Sequence, residues 1–103
     1  MKYIKKFESL DEPKIGDYVA CEEELGINEL CDFINNTVGK IFKIENSYYN
    51  YAVKFDNIPQ NLNEYFTDFG YKDCRGFNLN EILFWSENKE DVESFLTTKK
   101  YNL

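Results

Sequence analysis

Apolar and polar residues alternate most cleanly from 49 to 55, where Tyr49, Tyr51, Val53 and Phe55 interleave with Asn50, Ala52 and Lys54. A period of two places these sets on opposite faces of a strand. Just upstream, Val38-Gly39-Lys40-Ile41-Phe42-Lys43-Ile44-Glu45 reads as another strand, with Val38, Lys40, Phe42 and Ile44 on one face and Ile41 on the other. Asn46-Ser47 is a tight connection between the two, so together they predict a β-hairpin. Lys14 to Cys21 predicts an earlier strand entered through a Gly16-Asp17 turn, and Asn80 to Trp85 a later one. The start, Tyr3 to Phe7, alternates weakly and suits an edge strand or a docked tail.

Two segments change period. From Asn28 to Asn36, Leu30, Phe33 and Ile34 fall at i, i+3 and i+4, which predicts a short helix with Asn28 as its N-cap. After Ser86-Glu87-Asn88, Val92, Phe95 and Leu96 form the stripe of a second helix running to about Lys99. Glu90 and Asp91 suit its positive end, and Ser86 or Asn88 supplies the cap. Residues 56–76 predict a long aromatic connection bent at Gly70 and Gly76, with room for a short strand at Glu64 to Thr67.

Lys14-Ile15-Gly16-Asp17-Tyr18-Val19 resembles the opening strand of small SH3-like barrels. Val38-Gly39-Lys40-Ile41 with Tyr51-Ala52-Val53-Lys54-Phe55 resembles the hairpin of the same class. Glu81-Ile82-Leu83-Phe84-Trp85-Ser86 before a helix is similar to the closing segments of small uncharacterised phage proteins. The resemblance covers about half of the chain and implies a binding module, for peptides, proteins or nucleic acids, rather than an enzyme. The expected fold is therefore mainly β: one domain over residues 1–103, an SH3-like small barrel with an inserted short helix and a C-terminal helix. The alternative is an α+β antiparallel sheet with helices on one face.

Charge sharpens this. The chain of 103 residues carries a formal net charge of -7. Nine acids against Lys14 alone give residues 8–32 a charge of -8, whereas residues 1–7 carry +3 and the remainder -2. Such an acidic segment disfavours direct binding of nucleic-acid phosphates and of anionic membranes. It suits a protein partner with a basic surface, and the candidate docking residues are Asp17, Glu22, Glu23, Glu24, Glu29 and Asp32. The aromatic residues give a secondary candidate, Tyr48, Tyr49 and Tyr51, lining a peptide groove or a cage for a cation.

Catalytic chemistry finds little footing. There is no histidine, which removes the commonest general base near neutral pH and any Ser/His/Asp or Cys/His arrangement. Cys21, Cys31 and Cys74 are odd in number and lack a CxxC pair, so reduced thiols are expected and neither a disulfide framework nor a zinc site. Arg75 adjoins Cys74 and would lower its thiol pKa if the two side chains met, but with no partnering base Cys74 reads as structural or incidental. No catalytic residues, metal or cofactor are expected. No apolar run reaches the roughly 20 residues of a membrane span, and the first seven residues do not read as a signal peptide, so a cytoplasmic protein is expected.

Abundant Lys, Asn, Ile, Tyr and Phe point to an AT-rich genome such as a low-GC bacterium or its phage. The functional expectation is a non-enzymatic acidic protein-binding module, phage-encoded and acting in the host cytoplasm. It would inhibit a host nuclease or defence complex, in the manner of an anti-CRISPR protein, by occupying a basic nucleic-acid-binding surface as a DNA mimic. The alternatives are an SH3-like peptide- or cation-binding module using exposed aromatics, and a virion or replication accessory protein. The sequence does not fix the oligomeric state.

Overall fold

The computed structural model describes residues 12–23, 26–45 and 51–101. Five strands form one antiparallel sheet: β1 (Tyr18–Cys21), β2 (Gly39–Ile44), β3 (Tyr51–Phe55), β4 (Cys74–Phe77) and β5 (Ile82–Ser86). Their order is β4-β3-β2-β1-β5. Helix α1 (Asn28–Asn35) joins β1 to β2, and α2 (Lys89–Tyr101) follows β5. The result is a small mixed α/β domain. No ladder joins β4 to β5 among the described residues, so the pairing is that of an open sheet and a closed barrel is not shown.

The predicted hairpin pairs as expected, with Gly39 opposite Phe55, Lys40 opposite Lys54 and Ile41 opposite Val53. Beyond that point Lys43 faces Ala52, so Phe42 is an extra residue in β2. This bulge changes the predicted faces. Gly39 and Ile41 point into the core, whereas Lys40, Phe42 and Lys43 are exposed. A second bulge lies in β5, where Cys21 pairs with Ile82 although Ala20 pairs with Phe84. Leu83 is the extra residue, and its insertion lets Ile82 and Trp85 both join the core instead of alternating.

The core gathers Val19, Cys21, Ile41, Val53, Ile82 and Trp85 from the sheet with Leu30 and Ile34 of α1. Phe55 lies at the centre of an aromatic group, with ring centroids 5.9 Å from Phe33, 5.4 Å from Phe66 and 6.1 Å from Phe77. Tilted and edge-on pairs of this kind each add about 0.5–1.5 kcal/mol beyond area burial. Gly39 makes that packing possible. A Cβ there would overlap Val53 Cγ1 and come within 3.1 Å of Phe55 Cε2.

The second helix covers the other side. Phe95 of α2 stacks on Phe84 at 5.0 Å, and Phe84 pairs with Ala20. Val19 and Ala20 leave opposite faces of β1, so α1 and α2 cover opposite faces, contrary to the helices-on-one-face alternative. Ser86 ties down the entry to α2: its hydroxyl accepts the Asn88 N–H at 3.0 Å and donates to Asp91 Oδ2 at 2.7 Å.

Three local expectations are corrected. The N-cap of α1 is Ile27, with no side-chain cap, because Asn28 is already helical. The stretch from Glu64 to Thr67 is not a strand; a 3-10 turn spans Gln60–Tyr65, and Thr67 makes only an isolated bridge to Cys74. Gly76 is a residue of β4 rather than a bend, whereas Gly70 does turn the chain with φ of 79°. The weak alternation from Tyr3 to Phe7 lies outside the described residues.

Candidate functional site

The described acidic candidates differ in their surroundings. Asp17 belongs to a turn: its carboxylate accepts the Lys14 N–H at 2.9 Å, and its own N–H donates to the Lys14 carbonyl at 2.9 Å. Its carbonyl accepts from Ile41, which docks this turn on β2. Glu23 is buried at the end of β1. Its Oε1 accepts two hydrogen bonds from Arg75, at 3.3 Å from Nε and 3.0 Å from the terminal nitrogen. The same guanidinium donates to the Tyr65 carbonyl at 3.0 Å. Meanwhile the backbone of Glu23 exchanges hydrogen bonds with the Asn35 side chain. One residue thus joins β1, α1 and β4.

The other described carboxylates are more exposed than Glu23. Glu22 is half-buried, with its N–H on the Glu81 carbonyl at 2.8 Å. Glu29 and Asp32 lie on exposed positions of α1, and Glu29 accepts from Asn61 Nδ2 at 3.2 Å. Glu24 lies outside the described residues. Asp17 and Glu23 therefore also serve the fold, through the Lys14 turn and through Arg75.

The aromatic candidates shift as well. Tyr51 is only 4% exposed and belongs to the core, so it cannot line a groove. Tyr48 and Tyr49 lie outside the described residues. Different rings, set among lysines, occupy the outer face of the sheet. In one row across the strands, Tyr18 pairs with Lys40 and Lys40 with Lys54. Lys40 Nζ sits 5.2 Å from the Tyr18 ring centre, and Lys54 Nζ sits 4.3 Å from that of Phe42. Phe42 meets Tyr71 edge-on at 5.1 Å. Lys43 Nζ donates to the Tyr71 hydroxyl at 2.9 Å and lies 3.7 Å from Glu45. The Tyr71 hydrogen bond, with Glu45, raises the Lys43 pKa.

The β2 bulge brings Lys43 to the side that Lys40 and Phe42 already share, and the 56–73 connection brings Tyr71 to it. Ile15 (62% exposed) and Phe42 (41%) flank a shallow depression of about 330 Å³ whose other walls are Gly16, Lys40, Ile41 and Lys54. A second groove, of about 360 Å³, runs beside α2 past Asp56, Lys89 and Glu93.

Cys74 is buried and does not share a strand face with Arg75. Arg75 shares the core face with Val53, whereas Cys74 sits opposite Lys54. Burial, with a contribution from Asp68, pushes the Cys74 thiol up to about 11. Burial also raises Cys21, reinforced by Glu81 and Glu23. Among the described residues, no group of three or more Cys, Asp or Glu side chains is placed to hold a metal ion, and no helix is long and apolar enough to cross a membrane. Comparison with family models, with curated proteins and with solved structures gives no match.

Proposed function

We propose that this chain is a non-enzymatic protein-binding module on an SH3-like frame, docking its partner on the α2 side of the sheet, over the Ile15–Gly16 turn, β2 and β3, beyond the part of β1 that α2 covers. The strand order, the antiparallel meander and the 3-10 turn at Leu79–Glu81 between β4 and β5 support the frame. One observation carries the docking face. Lys40 and Lys54 are directly opposed across the ladder, beside exposed Ile15 and Phe42. Like charges in register destabilise a sheet, and exposed apolar side chains beside them gain nothing from water. A bound partner relieves both.

A second reading keeps the acidic helix as the contact. Glu29 and Asp32 are exposed positions three residues apart on α1, whose last turn has no basic residue. That arrangement supports docking on a basic surface, such as the nucleic-acid site of a host nuclease or defence complex.

Charge reversal separates the two. Immobilised wild type, Lys40→Glu/Lys54→Glu and Glu29→Lys/Asp32→Lys are each challenged with displayed random peptides, after circular dichroism confirms that all three fold. The sheet reading predicts that only the lysine variant loses the peptides retained by wild type. Loss in the α1 variant alone assigns docking to the acidic helix. No retention by wild type overturns the sheet reading.

A further inference from the structure

Resting on the sheet-face reading, we infer that the occupant is an acidic peptide segment whose carboxylates engage Lys40 and Lys54 around one apolar side chain seated between Ile15 and Phe42. The charges come first. Among the described residues no carboxylate lies within ion-pair distance of Lys40 or Lys54, whereas Lys43 already has Glu45 at 3.7 Å. Lys40 and Lys54 are backbone neighbours across the ladder, and their ammonium groups, one over Tyr18 and one over Phe42, can each take one carboxylate of the segment. Each ammonium brings three donors, and the ring beneath it limits its wandering. Less freedom is then lost when an anion arrives.

The floor of the site is apolar. Ile15, Gly16 and Phe42 supply the accessible wall of the 330 Å³ depression that the lysines do not, with the core residue Ile41 behind them. Burying one branched or aromatic side chain there contributes what two exposed ion pairs alone do not.

Nucleic acid offers the same negative charge but fits less well. Stacking needs open ring faces, and here Lys40 lies over Tyr18, Lys54 over Phe42 and Lys43 over Tyr71. A chain of net charge -7 also repels an extended phosphate backbone more than a short segment with a few carboxylates.

The test is to select displayed random peptides on wild type in low salt and to sequence those retained. The most enriched peptide and its copy with Asn and Gln replacing Asp and Glu are then titrated by fluorescence anisotropy. Enriched peptides should carry carboxylates flanking an apolar residue. The amide copy should bind about tenfold or more weakly, equivalent to at least 1.4 kcal/mol. Lys40→Gln/Lys54→Gln should weaken the acidic peptide similarly, and salt of about 1 M, which shortens screening to about 3 Å, should release it. Enrichment of neutral or basic peptides overturns the inference and leaves the sheet-face reading standing. Displacement of the acidic peptide by single-stranded oligothymidine at equal concentration overturns it in favour of nucleic acid. Failure to enrich any peptide overturns both.

Discussion

Lys40 and Lys54 face one another in register across β2 and β3, each with its ammonium over a different aromatic ring. Like charges in register across a ladder cost stability, and an anionic partner of the kind proposed would relieve that cost. Lys54→Glu therefore has a two-part expected outcome. An opposed pair of opposite charge should raise the free energy of unfolding by about 0.2–1 kcal/mol, read by urea denaturation. The same change should abolish binding of an acidic peptide. A variant that loses stability and binding together would mark Lys54 as structural.

The buried contact between Glu23 and Arg75 predicts the opposite. Glu23→Ala should cost about 2 kcal/mol, because Arg75 loses two charge-assisted hydrogen bonds in a poorly hydrated place. Combined with Arg75→Ala, the loss should be smaller than the two single losses added, as expected of residues in one network. Urea denaturation of the four proteins checks this. Were Glu23 a docking residue, its removal would leave stability unchanged.

Gly39→Ala should destabilise the sheet by about 1–3 kcal/mol through overpacking against Val53 and Phe55. Adding Val53→Ala should recover part of the loss, since it removes the methyl that the new Cβ meets. Thermal unfolding of the single and double variants reads both.

The buried thiols predict a loss of stability in alkali. Cys74 ionises near 9.0 when unfolded but only at about 11 in the fold, so the folded state holds its proton more tightly. Its contribution is complete below pH 9, declines as pH rises toward 11 and then levels off. Cys21 acts in the same direction. Cys74→Ala should show a shallower decline than wild type in urea denaturation across that range. In the folded protein, iodoacetamide should reach half-buried Cys31 before buried Cys21 and Cys74, read by mass spectrometry.

The sequence made the main elements legible because their periods were long enough to see. The Tyr51–Phe55 strand, the amphipathic α1 stripe and the α2 stripe all appear where alternation or i, i+3, i+4 spacing places them. The lysine and aromatic face was hidden for a physical reason. A bulge at Phe42 breaks the period-two rule, so Lys40, Phe42 and Lys43 reach the outer side although strict alternation separates Lys43 from the others. β4 was missed because Cys74-Arg75-Gly76-Phe77 is too short to show a period, and Gly76 imitates a turn. The acidic segment misled in another way. Charge counted along the chain cannot distinguish a turn carboxylate such as Asp17, or a buried ion pair such as Glu23 with Arg75, from a solvated surface.

The most direct test of the docking face is amide NMR of wild type titrated with an acidic peptide bearing one apolar residue. Shifts should concentrate at Tyr18, Lys40, Phe42, Lys54 and Tyr71 and leave the α1 amides from Asn28 to Asn35 unchanged. Shifts confined to α1, or none across β1 to β3 at saturating peptide, would contradict the account.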